Sequence, residues 1–121
     1  MKERILSVIL LIIVIAFVTV NTVIIGKQID EVIESVDSLR LDDNSAAIKS
    51  KESYDDFMKK EKYLSLTVSH DDMTSIEGCF VEMIGYLSVG DIQNAEVVKY
   101  RLKSSLEHLR RLSGFNLDAI I

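Results

Sequence analysis

The sequence predicts an all-α protein: a single N-terminal transmembrane helix followed by a small three- or four-helix bundle. Three observations carry that prediction. Residues Ile5 to Ile25 contain no charge, and sixteen of these 21 are Ile, Leu, Val or Phe. Beyond them, apolar residues recur at spacings of three and four, the period of helices that bury one face. Proline is absent, which suits long uninterrupted helices.

A helix over Ile5 to Ile25 rises about 1.5 Å per residue and spans roughly 30 Å, the thickness of a bilayer's hydrocarbon core. At about −0.3 to −0.6 kcal/mol for each large apolar residue, insertion is favoured by roughly 5–10 kcal/mol. Ser7, Thr19, Asn21 and Thr22 subtract from this. The stretch is longer than the core of a cleaved signal peptide. Neither Ala16-Phe17-Val18 nor Val23-Ile24-Ile25-Gly26 offers a small-x-small cleavage site, so an uncleaved anchor is expected. Lys2, Arg4 and the amino terminus precede the span; Lys27 follows it, and then Asp30, Glu31, Glu34 and Asp37. The positive-inside rule places the N-terminus in the cytoplasm. The expected organisation is therefore an anchor over residues 1–26 and an extracytoplasmic helical domain over residues 27–121, in a cell membrane.

In the outer domain, Ile29, Val32/Ile33, Val36 and Leu39 form the first apolar stripe, which runs on from the membrane helix with only Gly26 between. Asp42-Asp43-Asn44-Ser45 are turn and cap residues, so this helix is expected to end near Leu41. A second helix is expected from Ser45 to Thr67, with Ala47/Ile48, Tyr54, Phe57/Met58 and Leu64 facing inward. Leu64 to Val68 also reads as a short strand, but the chain holds nothing to pair with it. Ser69 followed by Asp72 has the form of a capping box opening a third helix. Its stripe is Met73, Ile76, Phe80, Met83/Ile84 and Leu87, ending at Gly90. Gly78 and Gly85 inside it suggest close packing of a neighbouring helix. Asp91 caps the last helix, whose stripe is Ile92, Ala95, Val98, Leu102, Leu106 and Leu109; Gly114 reads as its stop, and the apolar tail to Ile121 as a segment docked on the bundle. The short connection at Gly90 makes the last two helices an antiparallel hairpin.

Composition excludes several functions. Without Lys2, Arg4 and Glu3 the outer domain carries 12 Lys/Arg against 18 Asp/Glu, the reverse of a nucleic-acid binder. The single Cys79 has no internal disulfide partner. It reads as a small buried hydrophobe, and no base or oxyanion site accompanies it. No catalytic or cofactor motif is present, and the chain reads as a non-enzyme. The strongest chemical candidates are His70 and His108, which the hairpin places at one end of the bundle with Asp71, Asp72 and Glu107 as neighbours. Imidazoles and carboxylates together suit a transition metal or a titration near neutral pH. Structural roles, a cap neighbour and a hydrogen-bonded stripe neighbour, compete with both readings. The basic residues Lys99, Arg101, Lys103, Arg110 and Arg111 and the acidic stretch 30–43 read first as intramolecular pairs, and second as a docking surface for a partner or for lipid headgroups.

The run Lys62-Tyr63-Leu64-Ser65-Leu66, then His70-Asp71-Asp72, Tyr86-Leu87, Gly90-Asp91, Ala95 and Leu106-Glu107-His108, resembles the membrane-anchored bacterial family known as domain of unknown function forty-three sixty-three. The ending Phe115-Asn116-Leu117-Asp118-Ala119-Ile120-Ile121 is similar to that family's Asn-Leu-x-Asn-Ile-Leu tail. Phe57 stands where the family tends to carry Trp, so a contact through an indole N–H is not available here. The resemblance implies an anchored helical domain, mainly in Gram-positive bacteria, and no established activity. Two functions remain in view: an interaction or scaffold protein with an unknown protein partner, and a metal- or pH-responsive module built on the His70/His108 end.

Overall fold

The structure, a computed structural model, describes residues 1–64 and 68–120, with side chains through Leu112. Four helices follow one another: α1 (Lys2–Asp37), α2 (Ala46–Leu64), α3 (His70–Ser88) and α4 (Ile92–Ile120), with no strand among the described residues. The fold is all-α. The choice between three and four bundle helices resolves to four, because the second half of α1 is itself a bundle member.

α1 has 36 residues, so it is about 54 Å long, nearly twice the thickness of a hydrocarbon core. Gly26 does not interrupt it. The apolar segment and the first bundle helix are one continuous rod. Ile25, Gly26, Ile29, Val32 and Val36 are buried along one face of its second half. The helices then alternate in direction and close a ring: α1 packs on α2 and α4, and α3 packs on α2 and α4. This is the up-down-up-down arrangement that short loops favour.

α1 stops at Asp37, earlier than the turn residues suggest. The Ser38 amide bonds back to the Glu34 carbonyl at 3.0 Å and the Leu39 amide to the Val36 carbonyl at 3.1 Å, which tightens the last turn. Leu39 and Leu41 then swing into the core from the loop. Lys99 of α4 donates to the Leu39 carbonyl at 2.6 Å, satisfying a group that the helix end leaves without a partner.

α2 departs furthest from its expected stripe. Ala46, Ser50, Ser53, Phe57 and Leu64 are buried, whereas Ile48 is exposed. The inward face at the start of α2 is built from small residues. Ser35 of α1 and Ser53 of α2 share a hydrogen bond of 2.6 Å across the contact. The exchange satisfies two hydroxyls that close helix approach removes from water. Residues 65–67, where helix and strand readings competed, lie outside the described residues.

α3 follows its expected stripe closely: Met73, Ile76, Phe80 and Met83 are buried, with Leu87 packed at the edge. Ser69 is its N-cap residue but makes no side-chain cap hydrogen bond, so the expected capping box does not form. Gly78 and Gly85 have no heavy atom within 4 Å of where a Cβ would stand. Among the described residues they are not sites of close packing. Gly90, at φ +74°, turns the chain into α4 through the left-handed conformation that glycine adopts without strain. Asp91 caps α4 as expected, accepting from the Asn94 amide at 3.2 Å. Ala95, Val98, Leu102, Leu106 and Leu109 are buried, while Ile92 is not. Gly114 does not end this helix, which runs to Ile120. Docking of the tail's side chains falls outside the described residues.

The centre of the bundle is aromatic. Phe57 and Phe80 are fully buried with ring centroids 5.5 Å apart, and Tyr54 meets Phe80 edge-on at 5.7 Å. Such pairs contribute about 0.5–1.5 kcal/mol each beyond the area they bury.

Candidate functional site: the apolar helix and the adjoining end of the bundle

The first half of α1 is the one helix among the described residues long and apolar enough to cross a membrane. Only 6% of its most apolar 18-residue window is buried by the rest of the chain. A core helix of a soluble protein is covered; this one is not. Leaving a large apolar side chain in water instead of burying it costs about 1.5–3 kcal/mol. With residues such as Leu10, Ile13 and Phe17 all exposed, the total runs to tens of kcal/mol.

The polar side chains within this segment are the features that the sequence alone counts as penalties. The structure shows each one with a partner. Ser7 donates to the Glu3 carbonyl at 3.0 Å, Thr19 to the Ile15 carbonyl at 2.8 Å and Thr22 to the Val18 carbonyl at 2.8 Å. These are bonds to the preceding turn, the arrangement that removes a hydroxyl's need for water inside lipid. Asn21 accepts from the hydroxyl of Tyr63, near the end of α2. With its backbone bonded along the helix, this segment meets the condition that a bilayer interior imposes.

At the adjoining end of the bundle, α4 crosses α1 at Gly26. A Cβ there would come within 2.8 Å of Arg110 Cζ, so the glycine makes room for the guanidinium. Arg110 Nε donates to Asp30 Oδ1 at 2.9 Å. The other basic residues of α4 are largely committed within the chain as well. Lys103 bonds Asp37 at 2.8 Å and Arg101 pairs with Glu82 of α3. Lys103 holds the Asp37 carboxyl below the ordinary range, first by its hydrogen bond and then by its charge, and Asp37 in turn raises the Lys103 ammonium. The intramolecular reading of these charges therefore holds for most of the set.

His70 and His108 do lie at this same end, but the structure gives them different neighbours. Asp72 and Ser75 of α3, with Arg101, Ser104, His108 and Arg111 of α4, line an open groove of about 320 Å³. His70 is exposed, and its charge is felt by Glu77 on the side facing α2. The Glu77 carboxyl is pushed up, first by burial, then by its hydrogen bond to Glu61 and the Glu61 charge, with His70 acting in the opposite sense. Asp71 and Glu107 are exposed. Among the described residues, no three His, Cys, Asp or Glu side chains come together in a way that holds a metal ion. Cys79 is buried beside Arg101.

A second surface was not singled out by the sequence. On the solvent side of α3, Gly78, Val81 and Gly85 are exposed at helical spacing, and on α4 Val97 and Tyr100 are exposed likewise. The glycines, expected to serve packing inside the chain, leave this face shallow and open. The chain matches no family model, no curated protein and no solved structure.

Proposed function

We propose that this chain is a single-pass membrane protein that acts without enzymatic chemistry, holding a helical bundle against a protein partner on the outer face of a bacterial membrane. The observation that carries this reading is the uncovered first half of α1, apolar on its surface and with its polar side chains bonded internally. Lys2 and Arg4 ahead of the segment favour an N-terminus in the cytoplasm. The acidic loop Asp37, Asp42 and Asp43 lies at the opposite end of the bundle, together with Asp91, where its charge is furthest from an anionic bilayer surface. The exposed Val81 between the two open glycines of α3, and the exposed Val97 and Tyr100 of α4, support the contact role, since small residues let a partner helix approach closely.

Two linked experiments test this. Alkaline extraction of native membranes should leave the chain in the membrane fraction; release into the supernatant removes the tether. A photo-crosslinking residue placed at Val81 or Tyr100 in the native membrane should give a discrete protein adduct, and one at Asp55 on α2 should not. Absence of an adduct from both Val81 and Tyr100 overturns the contact role.

A further inference from the structure

The groove between α3 and α4 is lined by donors that the described part of the chain leaves unused. Elsewhere a helical serine turns back on its own backbone: Ser7 bonds the Glu3 carbonyl and Ser88 the Ile84 carbonyl. Ser75, Ser104 and Ser105 line the groove, and among the described residues no hydrogen bond engages their hydroxyls. Arg111 lines it too and makes no ion pair among the described residues, unlike Arg101, which Glu82 holds at the other end. The exposed His108 lies between them on α4. Asp72 is the one acid in this lining.

Ion pairs fix where the groove stands. Lys103 meets Asp37 and Arg110 meets Asp30, so α4 runs antiparallel to α1 and in step with it. Asp30 is five residues beyond Ile25, the last residue of the uncharged run, and Arg111 is one residue nearer the membrane than Arg110. With α1 upright, Arg111 therefore stands about 6 Å above the hydrocarbon boundary, within a headgroup layer of roughly 5–7 Å. Arg101 meets Glu82, and ten residues on along α4 and ten back along α3 bring Arg111 level with Asp72. From this mouth His108, Ser105 and Ser104 lead outward over about 10 Å.

We propose that the groove holds the phosphate of an anionic phospholipid of the outer leaflet, with Arg111 on the phosphate and the headgroup alcohol lying outward along Ser104 and Ser105. A guanidinium matches phosphate oxygens two at a time, and the serine hydroxyls add donors beside it. Asp72 selects among phosphates. A carboxylate level with Arg111 repels a second negative charge, so it favours a phosphodiester, with one, over a monoester or free phosphate, with about 1.5 to 2. Outward of Asp72 the lining is hydroxyl and basic, which suits an uncharged alcohol such as glycerol better than an ammonium. A groove of about 320 Å³ has room for such a headgroup and not merely for the ion. The lipid as source rests on the tether reading; the donor set does not.

The full-length protein in dodecyl maltoside micelles is titrated calorimetrically with short-chain phosphatidylglycerol, with phosphatidylcholine of the same chain length and with inorganic phosphate. R111Q and K51Q are titrated beside the parent; Lys51 is an exposed cation on α2. The proposal expects saturable binding of phosphatidylglycerol, weakened at least about tenfold in R111Q and unchanged in K51Q. It expects weaker binding of phosphatidylcholine and of phosphate. Phosphatidylglycerol bound equally by the parent and R111Q, or by neither, overturns the groove as the site. Phosphate bound as tightly as phosphatidylglycerol makes this a site for the free ion and overturns the lipid source, and phosphatidylcholine bound as tightly overturns the choice of headgroup. The tether fails separately: release of the chain by alkaline extraction overturns the membrane reading and the lipid source with it, whereas retention without phosphatidylglycerol binding overturns the groove alone.

Discussion

Replacing Phe80 with alanine is the sharpest test of the core. The side chain is fully buried, stacked near Phe57 and met edge-on by Tyr54. Truncation removes its transfer free energy and leaves a cavity between α2 and α3, and Phe→Ala changes of this kind cost about 3–5 kcal/mol. A domain of this size is stable by about 5–15 kcal/mol, so the loss is a large share of the whole. For a 60–100-residue domain each kcal/mol moves Tm by about 4–8 °C, which puts the drop at no less than about 12 °C. The next residue, Val81, points to solvent and is 57% exposed. V81A should change stability by less than about 0.5 kcal/mol. Thermal melts followed by far-UV circular dichroism in nanodiscs measure both. The apolar segment stays helical in lipid, so the transition reports the bundle. Equal melting temperatures for F80A and V81A would refute the assignment of inside and outside on α3, and with it the register of the bundle.

The same melts check four smaller predictions. Gly26→Ala brings a methyl against the flexible end of Arg110, loses a surface pair worth about 0–1 kcal/mol and gains about 1 kcal/mol of helix propensity, so Tm should move by only a few degrees; a drop beyond that indicates that Arg110 cannot yield. Because Glu77 has a raised folded pKa, its contribution to stability is present below its ordinary value of 4.5 and is lost as pH rises through the folded value. E77Q should therefore melt above the parent at neutral pH and lose that advantage in acid; an advantage independent of pH contradicts the Glu61 contact. Asp37 has the opposite sign: Lys103 lowers it, so its contribution is present above 3.8 and lost as pH falls through the folded value. D37N should abolish a small acid-side loss, seen as a flatter pH profile of Tm. Finally, I48K should be neutral, since Ile48 is 64% exposed; strong destabilisation restores the stripe read from sequence.

How much of this was legible in the sequence depends on whether local pattern or long-range contact decides each element. The apolar segment and α3 are local cases: an uncharged run, and large residues at every core position from Met73 to Met83 except Cys79. α2 is not. Its buried positions include Ser50 and Ser53, and the burial of Ser53 follows from its contact with Ser35 of α1, eighteen residues before it. No periodicity of apolar residues displays that. Gly26 reads as an interruption and Gly114 as a stop, yet α1 and α4 pass through both. Glycine disfavours helix by only about 1 kcal/mol, which surrounding helix and packing overcome. At Gly26 the reason is visible, because Arg110 occupies the space a side chain would take. The end of the bundle carrying His70 and His108 was foreseeable from hairpin arithmetic. Their separate neighbours, Glu77 for one and the Asp72 groove for the other, depend on which flank of the hairpin each residue occupies. The Asn21–Tyr63 bond spans 42 positions and had no local signal.

The central claim is that α1 crosses a membrane with the bundle outside. Labelling of intact cells with a membrane-impermeant maleimide tests it most directly, using K2C and V97C in a C79S background, so that only the introduced thiol reacts. The account predicts that V97C labels on intact cells and K2C only after permeabilisation. Labelling of V97C only after permeabilisation, or recovery of the chain in the soluble fraction, would contradict it.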